Sequence, residues 1–331
     1  MLQPKSITTK IYIPLGIILM LGFSAIIFNS MHELDKISQT VYEKESISLQ
    51  KFMQKSLQRK FDIALTNAIS LSQNSDFKEA LRTNNRQLAL ERAQKAMQQY
   101  KRYSHFKNIK IHLHTADAHS FVRAWKPQKY GDDLRGFRHT INEVIRTRRA
   151  FSAIEVGKAG LTFRGLAPII DDQDGSYLGS IEFMMGFRSN ISELQKDLQS
   201  DALILMDQKY LSIAKKLQNN PKIAHYVITQ KKETLDPKLM NDLKVLRTLS
   251  FKQYYQTPQF LLSKLPLYDY KKEKIGYILL AEPLSKVAQI VNESKSVLVL
   301  QMTVMMAINM FILAFLVYII KLIKQPLNTL V

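Results

Sequence analysis

Two uncharged apolar runs stand near the ends of the 331-residue sequence, Ile11 to Phe28 and Val297 to Ile320, and nothing comparable lies between them. Each approaches or exceeds the roughly 18 to 20 residues that a helix needs to cross about 30 Å of hydrocarbon. A chain of this pattern is expected to be anchored twice, with its polar middle displayed on one side of a membrane. Lys5 and Lys10 precede the first run and Lys321 and Lys324 follow the second, whereas the inner flanks, Met31 to Lys36 and Asn292 to Ser296, mix both signs. Because Lys and Arg accumulate on the cytoplasmic side of short flanks, both termini read as cytoplasmic and residues 31–296 as extracytoplasmic. A cleaved signal peptide is the rival for the first run. No small-x-small site closes it, since Phe28-Asn29-Ser30 is a poor match and Gly22-Phe23-Ser24 lies inside the apolar stretch, so an uncleaved anchor is expected.

The formal net charge of +19 raises the question of nucleic acid or anionic lipid. The displayed segment is on the wrong side of the membrane for nucleic acid. Its basic residues are also scattered, as in Lys51, Lys55, Arg59, Lys60 and Arg82, Arg86, Arg92, Lys95, which is the spacing of solvated helix faces. The sequence holds no cysteine, which excludes disulfides and thiolate metal sites. It has no Gly-rich phosphate loop, nucleophile elbow, or kinase or cyclase signature, so no enzymatic activity is expected of these residues.

Within the displayed segment, Leu57, Phe61, Ala64, Ala68 and Leu71 recur at three and four residues and predict one face of a helix. Leu34, Ile37 and Val41 show the same spacing, so the first apolar helix is expected to continue outward as one long helix. The stripe suits core contacts or a seam between two copies of the chain. A second amphipathic helix is expected from Arg86 to Tyr103. Beyond Lys107 the pattern changes to short apolar or alternating runs: Ile109 to His114, Ser120 to Trp125, Leu161 to Ile169 and Tyr177 to Met185 read as strands. The last two should form an antiparallel hairpin around Asp171 to Ser176, with Asp174-Gly175 supplying the reversal. That acidic turn lacks the alternating spacing and distal Glu of a calcium loop. The hairpin then recurs about 95 residues on, as Leu265 to Asp269, a turn at Lys271 to Lys274, and Ile275 to Leu279. Ala202 to Lys209 likewise repeats the strand and turn of Ile109 to Asp117. Two tandem modules, each an antiparallel sheet with helices on it, are the simplest account, joined by a helix at Ser189 to Leu198.

Several segments carry a family resemblance. Phe121-Val122-Arg123-Ala124-Trp125-Lys126-Pro127, Tyr130-Gly131-Asp132-Asp133-Leu134, Phe137-Arg138, Ile154 to Leu161, Arg164 to Ile169 and Tyr177 to Phe183 resemble the double Cache sensory domain of two-component sensor kinases and chemoreceptors. The likeness spans residues 35 to 290 and is specific in the first module. Ile323-Lys324-Gln325-Pro326-Leu327-Asn328-Thr329-Leu330 resembles the opening of a HAMP signal-relay helix. The resemblance implies an α+β receptor of the bacterial inner (plasma) membrane. Its parts would be a cytoplasmic N-terminus (1–10), a first span (11–30), a long helical stalk with the helical part of the distal module (31–106), a membrane-distal Cache module (107–190), a membrane-proximal one (191–296), a second span (297–320) and the start of a relay (321–331). It further implies a periplasmic sensor that binds a small molecule in its distal module, a homodimer, and a cytoplasmic signalling module or kinase complex as partner. A methyl-accepting chemotaxis protein is the leading expectation. A histidine kinase, a cyclic-dinucleotide enzyme and a tethered binding protein without output domain are the alternatives.

The residues supply a candidate ligand site in that module. Arg123 and Trp125 are read as sharing one strand face, a guanidinium fork beside a flat aromatic. Arg164 lies on one strand of the predicted hairpin, and Glu182 shares a face with Ser180 and Met184 on its partner. Two forks suit an organic anion, and a nearby acid suits an amine, as in amino acid-like compounds. The same three charged residues would equally make a buried ion network that holds the module together. Asp132 and Arg138, from the motif segments, complete the set, although Asp132 and Asp133 also suit the cap of a helix beginning near Leu134. His105, His112, His114 and His119 have no carboxylate at ligand spacing and read as core or surface residues, so no metal and no cofactor is assigned. Asn309 in the second apolar run is expected to bond either a neighbouring helix or its own backbone.

Overall fold

The computed structural model describes residues 7–324 except His105. It divides into two units, residues 46–283 and the two end segments 1–45 and 284–331. The stripe-bearing helix α1 (Ile7–Ser72) is continuous, as expected from its periodicity, and α7 (Leu284–Lys324) is the last element among the described residues. Both are long and apolar enough to cross a membrane. Ile17, Ile18, Met20, Leu21 and Phe28 on α1, and Leu300, Met310 and Phe311 on α7, face outward. Asn309 donates its amide to the Met305 carbonyl at 2.9 Å, which satisfies it within its own helix. The relay-like run from Gln325 to Leu330 lies outside the described residues.

In the 46–283 unit, α2 (Ser75–Arg82) and α3 (Arg86–Tyr103) follow α1. Each begins at an asparagine whose side chain accepts from the first turn: Asn74 from Asp76 and Phe77, and Asn85 from Leu88. The first sheet comprises β1 (Lys110–Thr115), β2 (Ser120–Arg123), β3 (Phe151–Gly157), β4 (Gly160–Ile170) and β5 (Tyr177–Met185), in the order β2-β1-β5-β4-β3. The second comprises β6 (Asp201–Asp207), β7 (Lys222–Ile223), β8 (Tyr226–Ile228), β9 (Tyr254–Gln256), β10 (Phe260–Tyr268) and β11 (Lys274–Pro283), ordered β7-β8-β6-β11-β10-β9. Apart from the extra edge strand β7, the two orders match element for element. Tandem modules of one topology are therefore what the repeated hairpins signalled. The helix α4 (His139–Thr147) precedes β3, α5 (Arg188–Leu198) joins the modules, and α6 (Pro237–Asp242) belongs to the second.

One face of the first sheet carries Ile111, Leu113, Phe163, Ile181 and Phe183, all fully buried in a core shared with α1, α2 and α3. The helical stripe supplies Leu57, Ala64 and Ala68 to that core, and Phe61 meets Phe163 edge-on at 5.1 Å. The small Ala64 lets the helix backbone reach the sheet at Gly165, where an added Cβ would lie 1.9 Å from the Ala64 carbonyl oxygen. This part of the stripe is thus core, and the seam reading fails for it because its apolar face is already covered by the chain's own sheet. The hairpin turn closes through Gly175 at φ 74°, and its acids dock on α2: Arg82 Nε lies 2.8 Å from Asp171, and Lys78 pairs with Asp172.

Two local expectations are corrected. The strand that carries Arg123 ends there, and the Lys126 amide bonds back to the Arg123 carbonyl in a turn, so Trp125 does not share a strand face with Arg123. No helix begins near Leu134. Residues 131–133 run beside 118–120 instead, α4 starts at His139, and its first turn is met by the distant Glu155 rather than by Asp132 or Asp133.

Candidate functional site

The other face of the first sheet carries a polar cluster beside a small apolar one of Leu166 with Ile141 and Val144. Strand register sets Glu182 opposite His112 and Ser180 opposite His114, and on the outer side it sets Arg123 opposite His112. Arg164 lies opposite Met184, one diagonal step from Glu182. The face is covered by residues 124–147. Arg86 pins that cover by donating to the carbonyls of Phe121 and Pro127, and its guanidinium stacks 3.7 Å from the Tyr130 ring centre.

Beneath it Arg138, Arg164, Glu155 and Glu182 form a closed ion network. One Glu182 oxygen accepts from Arg164 at 2.7 Å and from Arg138. Glu155 accepts from Arg138 Nε at 2.9 Å, from the Thr140 amide at 3.0 Å and from the Thr140 hydroxyl at 2.9 Å, and Arg164 Nε stands 3.2 Å away. Glu182 is fully buried, and the other three are at most 6% exposed. Burial alone would push the Glu182 carboxyl up, but the Arg138 and Arg164 guanidiniums outweigh it and hold the group well below its ordinary range. Burial also works against the Arg138 charge, and Glu182 and Glu155 outweigh it in turn.

Arg123 makes a separate two-pronged pair with Asp132, one arm at 2.9 Å, and also donates to the Lys129 carbonyl at 2.9 Å. The Arg123 hydrogen bond lowers the Asp132 pKa. Asp133 pairs with exposed Arg135. Trp125 stands edge-on to His112 at 5.7 Å, with the Lys110 ammonium 5.5 Å over its ring. The structure therefore joins Arg138, Arg164 and Glu182 in one network and places the Arg123–Asp132 pair and Trp125 beside it at His112.

Sequence reasoning placed His112 and His114 on one strand face and read them as core or surface residues, and missed the carboxylate they meet. His112 and His114 are at most 1% exposed, with ring centres 4.1 Å apart. His112 Nε2 is hydrogen-bonded to Ser120 Oγ at 2.8 Å, and His114 Nδ1 to Ser180 Oγ at 2.9 Å. Their remaining nitrogens aim at the second Glu182 oxygen, at 3.4 Å from His112 Nδ1 and 3.8 Å from His114 Nε2. Burial pushes the His112 pKa down to about 4 against the pull of Glu182, and that of His114 well below its usual value. The carboxylate absent from the local sequence arrives from β5 by strand pairing. His119 pairs with Asp117 at 2.9 Å, and His105 is outside the described residues.

The second module carries apolar residues at the equivalent positions of this face. By strand register Glu182 corresponds to Leu279, His112 to Leu203, His114 to Leu205 and Arg164 to Leu262. These four leucines are buried in an apolar cluster with Ile228, Leu239 and Leu243. Clefts lie elsewhere in the unit. One of about 640 Å³ opens between the modules around Thr162, Met184, Gln195 and Thr229. Another of about 470 Å³ is lined by Lys60, Lys107, Arg188 and Ser189. Burial there lowers the Lys60 pKa to about 8, with Glu193 opposing.

Among solved structures, the sensor domain of the Vibrio cholerae histidine kinase DctB is similar at 11% identity and TM-score 0.46, covering 73% of this chain and 96% of that one. The domain of a putative sensory box/GGDEF family protein from Vibrio parahaemolyticus gives 11%, 0.46, 76% and 99% for the same quantities. The ligand-binding domain of the Campylobacter jejuni chemoreceptor Tlp3, in complex with 4-methylisoleucine, gives 13%, 0.38, 76% and 94%. No curated protein sequence matches the chain. The profile described as the double sensory domain of two-component sensor kinases matches residues 42–288, three quarters of the chain, with its tandem sheets and the helices that cover them, and the protein belongs to that double Cache family.

Proposed function

We propose that the chain is the sensor portion of a two-pass receptor of the bacterial inner membrane. Its distal module reads a small organic anion or amino acid-like compound on the polar face of the first sheet, and α7 carries the response inward to a chemotaxis-type relay in a homodimer. The observation that supports this most is the contrast between the modules. Taking an ion out of water costs several kcal/mol, and a well-packed apolar replacement is often as stable. The same strand positions hold Leu203, Leu205, Leu262 and Leu279 in the second module, so the fold has no need of charges there. A ligand carboxylate offers the oxygen geometry of Glu155 and Glu182 and competes for the same guanidinium forks. The family description, which names sensor kinases, favours a second reading for the output, a histidine kinase.

The test uses the full chain in lipid nanodiscs, screened by thermal shift against organic acids, amines and amino acids. A compound that binds should lose about ten- to hundred-fold in affinity with Arg123→Ala or Arg164→Ala, the range for a hydrogen bond to a charged group. Variants that melt early yet bind with unchanged affinity would move the site to the cleft between the modules.

A further inference from the structure

We propose that His112, His114 and Glu182 form a binding site for one first-row transition-metal ion, with zinc(II) the best-suited class. Buried polar atoms almost always find partners. Here three fully buried atoms have none: His112 Nδ1, His114 Nε2 and one Glu182 oxygen. Each residue brings a ligand atom within 4.8 Å of those of the other two. Separations of 3.4 and 3.8 Å are long for imidazole–carboxylate hydrogen bonds. They lie close to the spacing of about 3.3 Å that tetrahedral bonds of about 2.0–2.1 Å impose on zinc ligands.

The surroundings are those of a held ligand set. Ser120 and Ser180 engage the far nitrogens of the two imidazoles, and Arg138 and Arg164 engage the other Glu182 oxygen, which orients all three groups toward one point. Two imidazoles and a carboxylate suit zinc and its neighbours rather than calcium or magnesium. Around the ligand set, Arg123 pairs with Asp132, and Arg138 and Arg164 pair with Glu155 and Glu182, so the neighbouring guanidiniums are each held by a carboxylate, while the Lys110 ammonium lies beside Trp125. This site does not depend on Arg123 or Arg164 touching an organic ligand, though it shares Glu182 with that reading.

The experiment takes the full chain in nanodiscs, stripped with chelator, and adds Co²⁺ and then Zn²⁺. One equivalent of Co²⁺ should give visible d–d absorption and quench Trp125, which stands beside His112, and Zn²⁺ should reverse both. The variants His112→Leu and His114→Leu copy Leu203 and Leu205 of the second module and so should fold. Each should weaken Zn²⁺ at least hundredfold in chelator competition, while His119→Ala should not. If a leucine variant fails to melt cooperatively, His112→Gln carries the same comparison. Absence of a stoichiometric Co²⁺ spectrum overturns the proposal, and so does Zn²⁺ affinity unchanged in folded variants. Intact amino acid binding in a variant that has lost zinc would leave the organic-ligand reading standing on its own.

Discussion

Replacing Arg138 by methionine keeps most of the apolar stem and removes only the guanidinium that ties α4 to β3 and β5. Glu155 would keep Thr140 and Arg164, but Glu182 would be left with Arg164 alone on its shared oxygen. At an effective dielectric of about 20, two charges about 4 Å apart attract by about 4 kcal/mol, and Arg138 holds two such partners. Relief of its own desolvation offsets part of this, which leaves the about 3–5 kcal/mol typical of breaking a buried pair from one side. Against a total stability of about 5–15 kcal/mol, that is a large fraction. The assay is urea unfolding in detergent micelles followed by Trp125, the only tryptophan, which reports on this module. The double variant Arg138→Met/Glu182→Gln removes one positive and one negative charge and should recover at least about 1 kcal/mol relative to Arg138→Met. A single-variant cost below about 1 kcal/mol, with no recovery in the double, would refute the closed network.

Two further outcomes follow from the same geometry. His112 has a folded-state pKa of about 4 against about 6.5 unfolded. Below pH 6.5 the unfolded chain therefore takes up the proton first, and His112 alone should lower stability by about 3 kcal/mol between pH 6.5 and 4, with His114, also depressed by burial, adding a loss of the same sign. Glu182, also depressed, adds to the loss below its unfolded value near 4.5. Melting curves across this range check the slope, and His112→Leu should flatten its upper part. At the helix–sheet contact, Gly165→Ala places a methyl group into the Ala64 backbone. It should cost about 3 kcal/mol or more, and wild-type melting in that variant would show that α1 does not lie on β4 as described.

The parts of this protein legible in its sequence are those set by neighbours in the chain. Apolar length marks the two end helices, a 3.6-residue period marks α1 and α3, and alternation around Asp174-Gly175 marks the β4–β5 hairpin. The repeat of that hairpin was enough to foresee two modules, and the motif segments pointed to Arg123, Arg138, Arg164 and Glu182. The short helices α2 and α4 escaped because eight or nine residues hold too few turns for a clear period. Trp125 was misplaced because a strand and the turn that ends it share the same apolar run.

The site itself depends on strand pairing across about 70 residues. Read along the chain, His112 and His114 lack a carboxylate, and Glu182 shows no tie to histidine. Antiparallel register between β1 and β5 sets Glu182 opposite His112, and a slip of one residue between them would leave the two imidazoles and the carboxylate on opposite faces of the sheet. The contrast with Leu203, Leu205 and Leu279 is likewise invisible until both registers are known. Hydrophobic period is a local property that each segment carries alone, whereas the convergence of two imidazoles and a carboxylate exists only once the chain has closed a long loop and chosen one register.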